Sequence, residues 1–244
     1  MVKQAIWILF IYIIISGCTR EPKSDVATIS QAEKAETLND GKLYVIDTGK
    51  SLITWVGTKP TGRHNGIIRL KEGDISILEE KDKKKKLKKI INITTVNAII
   101  DMNTVDVVDL TDNPTQYRKL KNHLHSEDFF NTSEFPEAEF NLISLIPFAK
   151  DSLLREDNGY TITNPTHSVK GNLTIKDTTL AIQFPAKIDL RNSRLVVSAK
   201  FNIDRTNWII NYLNENDPVA RAKDGFIHNI VHVSVDIIAR PKEN

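Results

Sequence analysis

Residues 179–204, TLAIQFPAKIDLRNSRLVVSAKFNID, alternate apolar and polar side chains twice over. Leu180, Ile182, Phe184, Ala186, Ile188 and Leu190 fall on every second position, and so do Leu195, Val197, Ala199, Phe201 and Ile203. A strand sends successive side chains to opposite faces, so each half of this stretch has one apolar face. Gln183, Lys187 and Asp189, then Ser198, Lys200, Asn202 and Asp204, occupy the other face. Arg191-Asn192-Ser193-Arg194 has the composition of a short hairpin turn. Each strand is about ten residues, or roughly 33 Å at about 3.3 Å per residue. Such length suits a tall barrel or sandwich better than a small sheet.

The pattern repeats on both sides of this hairpin. Short alternating or β-branched runs occur at 43–47, 51–58, 66–78, 88–102, 138–146, 169–175 and 227–239. Within 66–78, Glu72-Gly73-Asp74 reads as a turn between two strands. One segment differs. Residues 111–124, TDNPTQYRKLKNHL, read as a helix with Asn113 as cap, Pro114 in the first turn and Tyr117, Leu120 and Leu124 as one apolar stripe. Parallel α/β units need a helix after most strands. The chain is therefore all-β and antiparallel, with one solid helix. Periodicity alone does not separate a barrel from a filled sandwich.

The N-terminus follows another logic. Lys3 is followed by the apolar run AIWILFIYIII at 5–15, then Ser16, Gly17 and Cys18. This is the order of a secretory signal, and the apolar run of about 11 residues is short of the ~20 needed to span a bilayer. Ile15-Ser16-Gly17-Cys18 resembles a bacterial lipobox, which implies cleavage before Cys18 and lipidation of that residue. A plain signal peptide with an incidental cysteine is the other reading. Cys18 is the only cysteine, so it has no internal disulfide partner. Residues 1–17 thus read as a signal peptide, 18–42 as a lipidated, flexible tether and 43–240 as one domain. About 24 tether residues span roughly 27 Å as a coil. Within the tether, Ser30 as cap and Glu33 suggest a short helix over 30–38 with too few apolar residues to dock.

Thirty-three basic residues against 31 acidic ones are nearly balanced and suggest no nucleic-acid-binding surface. The one charge run, EEKDKKKKLKK at 79–89, reads as a solvated loop or as a contact for acidic lipid headgroups. Of the histidines, His123 and His125 have poor spacing for one helical face. His228 and His232, on one strand face, stand about 13 Å apart, too far to share a metal. No Gly-x-Ser-x-Gly and no phosphate-cradling glycine loop occurs. The expectation is a protein that is not an enzyme and has no metal or cofactor. Arg205, next to Asp204, reads either as a structural ion pair or rim charge, or as a ligand for a polar or phosphorylated headgroup at the barrel mouth, where its planar fork suits phosphate.

Several segments, in order, resemble the YceI-like family of exported lipid-binding proteins. They are Tyr44-Val-Ile-Asp47 with Ser51-Leu-Ile-Thr-Trp55 and Gly66; Val96 to Met102; Leu120 to Phe130 with Phe135 to Phe140; Val169-Lys-Gly171 into Ile182-Gln-Phe-Pro-Ala186; and Phe201 to Trp208 with Tyr212. The chain departs from the pattern at Lys50, where histidine is often found, in its lysine run, and after Tyr212, where glycines are often found. The resemblance implies an extended, lipocalin-like antiparallel barrel with the helix near one opening. It also implies binding of a long isoprenoid lipid, of quinone or polyprenyl type, without chemistry on it. Such a protein would be held at a bacterial envelope membrane by its N-terminal lipid, with the domain in the periplasm or at the cell surface, as monomer or homodimer.

A long isoprenoid needs a long dry slot, because each Å² of apolar surface removed from water is worth about 25 cal/mol. The candidates to line it are Trp55, Phe140, Phe148, Leu180, Ile182, Phe184, Val197, Phe201, Ile203 and Val233, with Arg205 as the headgroup candidate. The same side chains could simply fill a core. A filled barrel serving as an interaction module for envelope stress or redox systems is therefore the alternative.

Overall fold

The computed structural model describes residues 21–35, 41–81, 88–148, 157–223 and 225–243. The signal segment, Cys18, lysine-run residues 82–87 and residues 36–38 of the expected short helix lie outside the described residues. The strands are β1 (Thr28–Gln31), β2 (Lys42–Ile46), β3 (Leu52–Lys59), β4 (Gly62–Lys81), β5 (Lys88–Val107), β6 (Glu137–Pro147), β7 (His167–Ile175), β8 (Thr178–Arg191), β9 (Arg194–Asp204) and β10 (Ile230–Pro241). Among the described residues there are also two α-helices, α1 (Pro114–His125) and α2 (Pro218–Ala222), and a 3₁₀ turn at Arg205–Trp208.

Eight strands close into a barrel. Each of β3 to β9 pairs with the next, and β10 returns to β3, antiparallel throughout. Closure satisfies the edges that a sandwich leaves open. The fold is thus an extended, lipocalin-like antiparallel barrel, and the apolar faces of the central hairpin point into it. The β8–β9 turn is tight: Asn192 and Ser193 take φ of 49° and 60°, the left-handed pair that matches strand twist.

Several local expectations are corrected. Glu72-Gly73-Asp74 is not a turn, because β4 runs straight through it. A Cβ on Gly73 would lie 2.6 Å from Ile46 Cδ1 and 2.8 Å from the Asn97 carbonyl, so the glycine serves close packing. Residues 79–81 and 88–89 of the lysine run belong to the β4–β5 hairpin, paired as far as Lys81 and Lys88. β2 and β3 share one stave, since both pair with β4 and β10 on either side of the Asp47–Ser51 turn.

The largest correction concerns the tether. Residues 21–35 are bound along the barrel, and residues 28–31 form a strand where the helix was expected to begin. β8 pairs with β9 only over Ala186–Arg191. Nearer the other end, β8 residues Leu180–Gln183 pair instead with β1. On its far side this arm meets β9: Val26 bridges Asn202 in parallel, the Ala27 N–H donates to the Asn202 carbonyl at 2.8 Å, and the Asn202 N–H to the Asp25 carbonyl at 2.7 Å. The arm is a wedge in the barrel wall, with Ala27 buried in the core. Ser30 could not cap a helix because its neighbours are committed to a sheet slot that local sequence does not reveal.

α1 forms as expected. Asn113 accepts from the Gln116 N–H at 3.2 Å, and Pro114 opens the first turn. The helix lies across one barrel end. Tyr117 donates to Asp106 at 2.7 Å, and Leu124 is buried with Met102, Val105, Val107 and Phe129.

Candidate functional site

The inward side chains do not fill the barrel. A cavity of about 620 Å³ reaches from Ile188 and Ile237, on the β8–β9 turn side, to Leu110, Gln116 and Lys119 at α1. That volume lies within the roughly 300–1,000 Å³ of small-molecule sites. Its wall is aliphatic and aromatic over most of its length. Phe184 and Phe201 stack with centroids 4.2 Å apart, and Phe140 lies 6.0 Å from Phe184.

Two glycines seat two of its rings. A Cβ on Gly171 would stand 2.3 Å from Phe140 Cζ, so the ring can lie on β7 only above a glycine. A Cβ on Gly66 would stand 2.6 Å from the Trp55 indole and 1.8 Å from the Asp106 carbonyl. The β4 backbone thus comes close to β5, and the indole fits over it. The Trp55 Nε1–H and the Thr58 hydroxyl are buried with no hydrogen-bond partner among the described residues. By contrast the Trp208 indole donates to the Leu173 carbonyl at 3.2 Å.

Polar lining is confined to the α1 end: Thr58, Lys59, Arg63, His64, Gln116, Lys119, His123 and Arg205. No Asp or Glu occurs among the described residues that line the cavity. Carboxylates stand behind the histidines. His64 Nδ1 is 2.8 Å from Asp109 and His123 Nε2 is 2.9 Å from Asp128. Burial alone would raise the Asp109 pKa, but the Asn65 N–H and the His64 ring together hold it below the usual carboxylate range. This end is therefore rich in donors and cations, while the bore offers hydrocarbon contact.

Of the expected lining residues, Trp55, Phe140, Ile182, Phe184, Val197, Phe201, Ile203 and Val233 border the cavity. Leu180 and Phe148 do not. Leu180, nearer the β7–β8 turn, packs against the core cluster and stops short of the cavity. Strict alternation would put Phe148 on the face of Phe140, but the β6–β7 register shifts between Leu142 and Ser144. One extra residue reverses the faces beyond it, so Leu145 lines the cavity and Ile146 is exposed.

Arg205 is also placed differently from a rim cation. It is 5% exposed, and its guanidinium donates to the carbonyls of Ile210 at 2.6 Å, Ile227 at 3.1 Å and His228 at 3.3 Å. Burial lowers its pKa, partly offset by Asp204 and Glu215. Asp204 caps the 3₁₀ turn through the Thr206 N–H at 2.9 Å. Arg205 is thus a clamp that folds the segment after β9 back over the barrel end. No salt bridge joins it to Asp204 among the described residues. The signal missed in the sequence was Asp204-Arg205-Thr206-Asn207, a capped turn that buries its second residue.

One group of side chains has the makings of a metal set. Glu21, Glu215 and His228 bring ligand-capable atoms within 4.8 Å of one another. His228 Nδ1 lies 3.3 Å from Glu21 and 3.0 Å from Glu215, an ion trio that ties the arm to the segment before β10. The Glu21 pKa is raised, by burial first and by Glu215 and Asp204, against the pull of His228.

A family model described as the YceI-like domain matches residues 44–239. The chain belongs to the YceI-like family. The match begins after the arm, so the wedge lies outside the YceI-like portion. No curated protein matches the chain. Similar solved structures include Burkholderia cenocepacia BcnA, 16% identical with a TM-score of 0.48 over 79% of this chain and 98% of that one. A polyisoprenoid binding domain from Saccharophagus degradans is 13% identical with a TM-score of 0.49, covering 82% and 98%. The Campylobacter jejuni YCEI protein is 18% identical with a TM-score of 0.42, covering 71% and 84%.

Proposed function

We propose that this YceI-like barrel holds a long isoprenoid lipid, of quinone or polyprenyl type, and carries or stores it without reacting on it. The observation behind this reading is the division of the cavity. Its bore is apolar, its donors and cations gather at the α1 end, and no carboxylate lines it among the described residues. A hydrocarbon tail in the bore would leave water, and a headgroup oxygen at the mouth would meet donors and cations and no carboxylate. Lys59, Lys119, Gln116 and His64 are the headgroup candidates in place of Arg205. The open volume favours this reading over a filled interaction module.

Cys18 would carry a lipid that holds the protein at a bacterial envelope membrane. Replacing Cys18 by serine should then release the protein from the membrane fraction and abolish incorporation of an acyl label.

Trp55 borders the cavity, which provides a direct test. Titrating ubiquinone-8 from detergent micelles should quench its emission to saturation, and Trp55→Phe should remove most of that quenching. Unsaturable or absent quenching, together with no uptake of undecaprenyl phosphate, would contradict the proposal.

A further inference from the structure

We infer that the α1 end of the barrel, around the segment 209–219, is a surface that rests on an anionic lipid bilayer. Four large aliphatic side chains there face solvent: Ile209, Val219 and Val26 at 63% exposure and Leu213 at 37%. Two are held out by backbone that such residues avoid. Ile209 has φ of 60° and Leu213 φ of 45°, left-handed values that β-branched and bulky side chains rarely adopt. The neighbours of Ile209 show why the conformation persists. Trp208 and Ile210 are buried on either side, the Arg205 guanidinium holds the Ile210 carbonyl, and the Ile209 N–H closes on Thr206 at 3.0 Å. The barrel end is thus fixed so that Ile209 projects while Ile210 lines the cavity.

Charge and chain length point to the same partner. α1, across the mouth, carries Arg118, Lys119 and Lys121 and no acidic residue, and Arg221 and Lys223 follow Val219, so that these five bases outnumber Glu215, Asp217 and Asp224 in the same stretch of chain. Tyr212 joins the two sides through its ring contact with His123 at 4.4 Å. The arm begins here as well, because Glu21 is tied to His228 and Glu215. Glu21 lies three positions after Cys18, a span of at most about 11 Å. A lipid on Cys18 therefore brings this end, and not the β4–β5 hairpin at the other, against the membrane. The mouth lies beside the contact, so an isoprenoid can pass from bilayer to bore with little exposure to water. This last step rests on the isoprenoid-binding reading above; the surface itself rests only on the lipid proposed at Cys18.

The test uses the lipidated chain in phosphatidylglycerol–phosphatidylcholine vesicles, with its mass confirming the lipid on Cys18. A polarity-sensitive fluorophore on Val219→Cys should shift to the blue and be quenched by nitroxide-bearing lipids. The same fluorophore on Val45→Cys, exposed on β2 toward the far end, should keep a water-like emission. Equal behaviour at both sites, on protein whose lipid is confirmed, overturns the surface. A second measurement separates structure from docking. Asparagine tolerates left-handed backbone, so Ile209→Asn with Leu213→Asn should melt at the same or a higher temperature. The pair should nonetheless slow ubiquinone-8 transfer from vesicles at least tenfold, with uptake from micelles unchanged. Unaltered vesicle transfer overturns the docking role. Failure of the parent to take up ubiquinone-8 or undecaprenyl phosphate even from micelles would instead sink the reading of the bore.

Discussion

The two halves of the β8–β9 hairpin have the same alternating sequence and different neighbours. On the turn side, Ala186–Arg191 pair with Arg194–Ala199 as a simple hairpin. On the mouth side, Leu180–Gln183 pair with an arm from more than a hundred residues earlier, and Asn202 bonds to that arm from the opposite edge. Alternation fixes which side chains face inward in both halves. It does not say which strand lies alongside, because backbone donors and acceptors are the same for every residue except proline. The difference also has an energetic side. The turn half is held by continuous core, whereas within the arm only Pro22 and Ala27 are buried. Segments with few buried apolar contacts are the ones that open locally.

The strongest way to break this contrast is Phe184→Asp. Phe184 stacks on Phe201 inside the bore, so an isolated carboxylate there would be unpaired in apolar surroundings. The expected cost is above about 4 kcal/mol, seen as loss of soluble folded protein by circular dichroism. Arg205→Gln comes next, because three carbonyls lose charged donors. About 3 kcal/mol of stability should go, measured by denaturant unfolding. Ubiquinone-8 affinity of the folded fraction should stay within about twofold, and a large selective loss of affinity would restore Arg205 as a headgroup ligand.

Acid should act on the arm side. Burial, then Lys200, lowers the His232 pKa to about 4. Its Nδ1 lies 3.0 Å from Asn202 Oδ1, and Asn202 in turn donates to the Pro22 carbonyl at 2.8 Å. The Tyr160 ring edge and Ser234 complete its surroundings. A histidine with a depressed folded pKa stabilises fully above its unfolded value near 6.5, and that contribution is lost as pH falls toward 4. The loss is about 3 kcal/mol, and His232→Gln should flatten the pH profile over that window. Ala27→Asp should have the smallest effect, about 1–2 kcal/mol, because the arm can leave the slot and solvate the carboxylate. Hydrogen exchange should then quicken at Leu180–Gln183 and not at Ala186–Arg191. Equal quickening in both halves would show that the wall unfolds as one unit.

The inner face of the barrel was legible in the sequence because period-two alternation is a local property. Ile182, Phe184, Phe201 and Val233 all face the cavity as counted. Phe148 was lost to a single register shift in β6, which no composition signal marks. Gly73 looked like a turn because a close approach by Ile46 and a true bend both ask for glycine. Arg205 and the arm were illegible for a common reason: each is fixed by backbone carbonyls or amides of distant segments. A polar stretch such as Glu21–Ala35 looks like a tether until the slot between two strands is known.

The central claim is that the bore holds a long apolar chain, and native mass spectrometry of the chain from residue 19, which keeps every described residue, tests it most directly. The protein would be exported in a bacterial host, purified without detergent, and its organic extract analysed for lipids. The account predicts a discrete added mass that matches a quinone or polyprenyl species in the extract and disappears on denaturation. A bare protein that also refuses added ubiquinone-8 and undecaprenyl phosphate would contradict it and leave a barrel whose hollow serves something else.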